Sequence, residues 1–220
     1  MKKLVIFDLD GTLLNTITDL GNAANHALRE VGYPTHHLSS YPHFVGGGIV
    51  NLLKKVIPTT ELSDKNIERL HKLFVEYYNE HLADTTMPYP GINELLHELV
   101  ARGIQVAVAS NKYNDATVAL VNHFFEDIPW LAIEGEKPGI PVKPDPSIIF
   151  TILSENPTAK ADVVYIGDSP VDIETAKRAS IDSISVSWGF RSVKELVGAY
   201  AERIVDSPDQ ILKYIDKQSL

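Results

Sequence analysis

Apolar positions recur along this chain in two rhythms, and the change from one to the other divides it. Leu4, Val5, Ile6 and Phe7 form an unbroken apolar run, the pattern of a strand buried on both faces of a parallel sheet. From Thr16 to Val31 the rhythm is helical. Leu20, Ala23, Ala24, Ala27, Leu28 and Val31 share one face, and Gly32 with Pro34 ends the element. A polar loop containing His36, His37, Ser39 and Ser40 leads to Phe44-Val45-Gly46-Gly47-Gly48, then to a short helical pattern through Leu52, Leu53 and Val56. Ser63 caps a longer helix that lays Ile67, Leu70, Phe74, Tyr77, Tyr78 and His81 along one side. Residues 15 to 83 read as helix without a strand.

The pattern changes at Tyr89-Pro90-Gly91. A helical stripe of Ile92, Leu95, Leu96, Leu99 and Val100 closes on Gly103, and Ile104 to Ala109 reads as a buried strand that ends on Ser110-Asn111-Lys112. A helix over Asp115 to His123 and a strand over Ile128 to Ile133 follow. After a Gly/Pro-rich loop from Gly135 to Pro144, a helix begins at Pro146. Val163 to Ile166 is a strand ending at Gly167-Asp168. The alternation finishes with helix Asp172 to Ala179, strand Ile184 to Val186, a helix over Ser192 to Val197, strand Arg203 to Val205 and a helix from Pro208. Alternating strands and helices predict an α/β fold with a parallel sheet core, residues 1–14 and 88–220. The helical block, residues 15–87, is an insertion after the first strand, with hinges near Asn15 and Met87 to Tyr89.

Composition narrows the chemistry. The chain has 220 residues and no cysteine, which removes disulfides, thiolate nucleophiles and cysteine metal sites. A formal charge of -9 argues against a broad basic surface for nucleic acid, whereas a small phosphorylated molecule needs only local positive charge. No apolar stretch is long enough for a bilayer, and the run after Lys2 and Lys3 is too short for a signal peptide, so a cytoplasmic location without membrane contact is expected. The eight histidines lack i, i+4 metal spacing and read as surface or helical-block residues.

Candidate chemistry lies at the strand ends. Asp8 and Asp10 follow the first strand at an Asp-Gly turn, where two acids repel unless a cation or proton lies between them. An ordinary acidic turn has the same spelling. Parallel strands share a direction, so Asp8, Asp10, Ser110, Asn111, Asp168 and Asp172 converge on one sheet edge. Lys143, in Val142-Lys143-Pro144-Asp145-Pro146, heads a helix that can join them. Singly, Ser110 is also a strand-end hydroxyl, Lys143 a solvated charge and Asp172 a helix cap.

The ordered set Asp8-x-Asp10-Gly-Thr, strand to Ser110-Asn111, Lys143-Pro, and Gly167-Asp168-x-x-x-Asp172 resembles the haloacid dehalogenase-like phosphohydrolase superfamily over essentially the whole chain. Phe7-Asp8-Leu9-Asp10-Gly11-Thr12-Leu13, Lys143-Pro144-Asp145-Pro146 and the early helical insert are similar to its phosphoglycolate phosphatase branch. The resemblance implies a Rossmann-like core with a mobile helical cap and a magnesium-dependent hydrolase of small phosphate monoesters. It implies Asp8 as nucleophile and Asp10 as general acid/base, with Lys143 offsetting charge. Asp8, Asp10 through its carbonyl, and Asp168 would hold Mg²⁺, and Asp172 would orient that shell. Ser110, Asn111 and Thr12 would bind the phosphoryl group or place Asp10, with Gly46, Gly47 and Gly48 meeting substrate from the cap. Ser180 replaces the family's usual glycine after the last motif helix, so that helix end is expected to differ. Arg191, in Trp188-Gly189-Phe190-Arg191, reads as a surface arginine. A sugar-phosphate mutase and a non-catalytic metal-binding regulatory module are the competing readings, and oligomeric state is left open.

Overall fold

A computed structural model describes residues 2–217. Its main sheet has six strands, all parallel, in the order β5-β4-β1-β6-β7-β8. These are β1 (Leu4–Phe7), β4 (Gln105–Tyr113), β5 (Ala132–Glu136), β6 (Val163–Gly167), β7 (Asp182–Val186) and β8 (Ile204–Val205). Strand β1 is central because all four of its side chains are buried and its neighbours on both sides are apolar. Alternation sends Val5 and Phe7 to one face, with Leu95, Leu99 and Ile211, and Leu4 and Ile6 to the other, with Ile149, Ile152 and Ala176. The helices behind those faces are α4 (Ile92–Ala101), α5 (Asn114–Phe124), α6 (Ser147–Glu155), α7 (Pro170–Ala179), α8 (Val193–Gly198) and α9 (Pro208–Lys217). From β1 the chain adds β4 and β5 on one side and then crosses back to add β6, β7 and β8 on the other, so the crevice at the carboxyl end of β1 is where such sheets place ligands.

Between β2 (Leu14–Asn15) and β3 (Met87–Pro88) lie α1 (Ile17–Glu30), α2 (Ile49–Val56) and α3 (Asp64–His81), joined by a 3-10 turn at Leu38–His43 and another at Thr59–Glu61. Their apolar stripes form a cluster of their own, with Ala24, Leu28, Leu53, Leu70, Phe74 and Tyr78 at its centre. Strands β2 and β3 pair antiparallel, Leu14 with Pro88 and Asn15 with Met87. Just above this ribbon the buried Asp19 accepts bonds from the backbone N–H and hydroxyl groups of Thr85 and Thr86 at 2.6–3.2 Å. No helix among the described residues is long and apolar enough to cross a membrane.

Several expectations need correction. The β2–β3 ribbon breaks the reading of residues 15 to 83 as strand-free, since Asn15 pairs with Met87. The strand expected from Ile128 begins at Ala132: Pro129 has no N–H to give the ladder, and the first bond to β4 comes from Leu131 to Val106 O at 2.8 Å. Strand β4 runs on through Ser110, Asn111 and Lys112 to Tyr113, with a register shift after Ala109. Helix α7 starts two residues before Asp172, because Ser169 is its cap and Asp172 the partner in a capping box. Ser180 takes the left-handed conformation a glycine would (φ 57°, ψ 47°), so the end of α7 keeps its shape at some strain.

Candidate active site

Asp8 leaves β1 with one carboxylate oxygen turned back, accepting the Leu9 N–H at 2.7 Å and the Lys143 ammonium at 3.0 Å. Gly11 allows the sharp turn that follows. Its φ is 87°, and a Cβ there would lie 2.5 Å from Asp168 Oδ2. Asp168, at the end of β6, accepts the Phe190 N–H at 2.6 Å. Asp172 stands behind both. Its Oδ1 takes Lys143 at 2.8 Å and Tyr165 at 3.1 Å, and its Oδ2 takes the Ser169 N–H and hydroxyl. Carboxylate oxygens of Asp8, Asp168 and Asp172 lie within 4.8 Å of one another, and all three residues are buried.

The charges at this edge do not balance. Lys143 is shared between Asp8 and Asp172, and Lys112 is paired with Asp10 at 3.0 Å. Four carboxylates therefore face two ammonium groups. Burial pushes the Asp8 carboxyl up to about 7 against the pull of Lys143, with Asp172 and Asp10 adding to the rise. Burial, then Asp172 and Asp8, push Asp168 well above the carboxylate range. Burial works against the Lys143 charge, yet Asp172 and Asp8 outweigh it and hold that ammonium above the ordinary lysine value. A crowded, buried set of hard oxygen donors short of positive charge fits a divalent cation. Asp8 and Asp168 are the ligands best placed for it, because Asp172 already has both oxygens engaged.

Asp10 lies beside this cluster, with Oδ1 accepting the Thr16 hydroxyl at 2.7 Å and Oδ2 accepting Lys112. Asp8, Asp10, Ser110, Asn111, Gly46 and Gly48 line one cavity between the sheet edge and α1–α3. Asn111 faces it, but its amide is engaged: it bonds the Lys143 backbone N–H and carbonyl at 2.8 and 3.0 Å and the Gly46 carbonyl at 3.2 Å. It thus holds the lysine loop in place and touches the Gly46 loop as well. Thr12 is buried with its hydroxyl unpaired, and Gly47 lies outside the lining.

Three contributors were missed. Lys112 is a charge inside a buried strand end, a signal available in Ser110-Asn111-Lys112. Thr16 sits six residues beyond Asp10, just before α1. Tyr165 sits in an apolar run that hides its phenol, which takes Lys143 at 2.7 Å and lies 2.9 Å from Ala109 O. Arg191 corrects another expectation. It is no solvated surface arginine, since its guanidinium bonds the carbonyls of Pro42 and, at 2.6 Å, Val45, tying the loop that holds Asp168 to the helical block.

Fold and site together define a carboxylate-based enzyme on a parallel α/β sheet. Residues 5–186 match the family model for haloacid dehalogenase-like hydrolases. A phosphoglycolate phosphatase of Aquifex aeolicus is 29% identical across 97% of both chains, and one of Agrobacterium fabrum is 32% identical across 88% of this chain and 84% of that one. A solved structure from Lactobacillus delbrueckii subsp. bulgaricus superposes with a TM-score of 0.90 at 33% identity, covering 98% of this chain and 99% of that one. This chain belongs to the haloacid dehalogenase-like hydrolase family.

Proposed function

We propose that the protein is a Mg²⁺-dependent phosphohydrolase acting on a small organic phosphate monoester, with phosphoglycolate the leading substrate because relatives of matching length carry that activity in their names. The observation that carries the reading is the cluster of Asp8, Asp168 and Asp172, with Lys143 between Asp8 and Asp172, beside Asp10. Asp8, the backbone carbonyl of Asp10 and Asp168 would hold the ion, and Asp172 would keep Lys143 and the turn after β6 in place. When bound, Mg²⁺ supplies charge that neutralises the phosphoryl oxygens.

The remaining steps belong to side chains. An Asp8 oxygen attacks phosphorus, the bond to the ester oxygen breaks, and Asp10 gives that oxygen a proton, releasing the alcohol and leaving an aspartyl phosphate. Water then attacks the same phosphorus while Asp10 takes its proton, which frees phosphate and restores both acids. Lys143 offsets the charge on Asp8 and the phosphoryl group throughout, and Ser110 with neighbouring backbone N–H groups receives the phosphoryl oxygens. Residues 15–87 act as the cap, excluding bulk water when α1–α3 lie over the sheet edge.

The test is phosphate release from a panel of monoesters with magnesium, compared with Asp8→Asn. Release by the parent protein alone supports the reading. Equal background from both ends it, and isomer interconversion without net release points to a mutase.

A further inference from the structure

Three buried lysines among the described residues differ in how their ammonium groups are satisfied. Lys2 meets three oxygens, Ala161 O, Val163 O and Asp182, at 2.6–3.0 Å. Lys143 also meets three, from Asp8, Asp172 and Tyr165, at 2.7–3.0 Å. Lys112 is as deeply buried, with 2% of its side chain exposed, yet it meets one oxygen, Asp10 Oδ2. Its other neighbour is the face of Tyr78, 4.8 Å from the ring centre. An ammonium has three N–H groups, and buried donors are ordinarily matched. The under-matched lysine is also the one that lines the cavity.

The opposite wall carries no polar side chain to compete for a substrate; its polar atoms are backbone ones, at Gly46 and Gly48. There the cap presents Leu20, Val45, Ile49, Leu52 and Phe74. We infer that Lys112 is the docking group for a carboxylate on the leaving alcohol, one carbon from the ester oxygen, so that the preferred substrates are phosphate esters of short 2-hydroxy acids. This rests on the phosphatase reading above. The spacing supports it: Asp10 must come within about 3 Å of the ester oxygen to pass its proton, and Lys112 lies 3.0 Å from Asp10. Lys112 is then within about 6 Å of that oxygen, a gap filled by the roughly 3 Å from ester to carboxylate oxygen plus one hydrogen bond. A sugar phosphate would instead bury several hydroxyls against the carbon of the cap wall, with only the backbone of Gly46 and Gly48 to pair them.

The experiment uses the full chain with magnesium and three esters: 2-phosphoglycolate, ethyl phosphate of equal carbon length without the carboxylate, and p-nitrophenyl phosphate. The readout is the ratio of kcat/KM for the first two, in the parent, Lys112→Gln and Lys112→Arg. Any common loss through Asp10 cancels in that ratio. The parent should favour phosphoglycolate, and Lys112→Gln should lower the ratio about 10- to 100-fold, as expected for one charge-assisted hydrogen bond. Lys112→Arg should keep most of it, which tests the charge even if the neutral variant folds poorly. A parent ratio near one overturns the inference. So does an unchanged ratio in Lys112→Gln while both alkyl esters fall against p-nitrophenyl phosphate, since Lys112 would then serve only Asp10. If the parent cleaves none of the three, the phosphatase reading fails first and this inference with it.

Discussion

On the sheet side of the cavity, four carboxylates gather around two ammonium groups, Lys143 between Asp8 and Asp172 and Lys112 on Asp10, with Asp168 beside them. On the helical side, the side chains of Leu20, Val45, Ile49, Leu52 and Phe74 offer only carbon, and polar contact is left to the backbone of Gly46 and Gly48. The two walls face different parts of a substrate. A phosphoryl group is the same in every ester, so its wall can be charged, crowded and fixed before anything binds, with the unfavourable burial held in check by Lys143 and, on the function proposed above, by a bound cation. The alcohol varies, so it is selected by the shape of the apolar wall and by the one lysine, Lys112, that reaches the cavity from β4. Changes on the sheet side, Lys112 excepted, should therefore alter the chemical step for all esters, and changes on the helical side or at Lys112 should alter which ester is accepted.

The largest effect should come from Asp8→Asn, which replaces the nucleophilic carboxylate with a neutral amide. Phosphate release should fall by about 10⁴-fold or more for every ester. A residual rate that depended strongly on the ester would blur the division between the walls. Lys143→Met comes next, with kcat lower by about 10²- to 10³-fold. It should also destabilise the metal-free protein by about 3–5 kcal/mol in denaturant titrations, because Asp8 and Asp172 lose their buried partner.

Proton linkage gives the third. The Asp8 carboxyl rises from 3.8 to about 7 on folding, and Asp168 moves in the same direction. A carboxyl raised in the folded state favours folding while it keeps its proton, so this contribution is intact below about pH 4 and is lost as pH climbs through 7. The melting temperature of the metal-free protein should fall across that window. Added Mg²⁺ should raise it by several degrees above pH 7 and by little near pH 4. The smallest effect is on the cap side. Gly48→Ala puts a side chain where φ is 81° and the new Cβ would lie 2.9 Å from Glu136 Oε2. KM should rise a few-fold with kcat nearly unchanged, at a stability loss of about 1 kcal/mol.

Much of this arrangement could be read from residue order. The continuous run Leu4 to Phe7 announces a strand buried on both faces, and acids placed after β1 and β6 must converge once the strands are parallel. What could not be read depends on distant partners. Tyr165 looks like one more apolar position until β4 and α7 bring Ala109, Asp172 and Lys143 around its phenol. Arg191 finds its carbonyls in a turn nearly 150 residues earlier, a turn without apolar periodicity to signal it. Lys112 was visible as a letter, but its shortage of oxygen partners exists only in three dimensions.

The β2–β3 ribbon bears on how such a molecule can change over generations. Because Asn15 and Met87 are paired, cutting the chain there leaves two ends about 5 Å apart, a gap that a two-residue turn closes. Beyond Thr16, which holds Asp10, most of what lies between them can be lengthened, shortened or exchanged without moving a strand of the main sheet. A descendant lineage can thus acquire a new appetite by grafting, provided the graft keeps Thr16 on Asp10 and a carbonyl for Arg191.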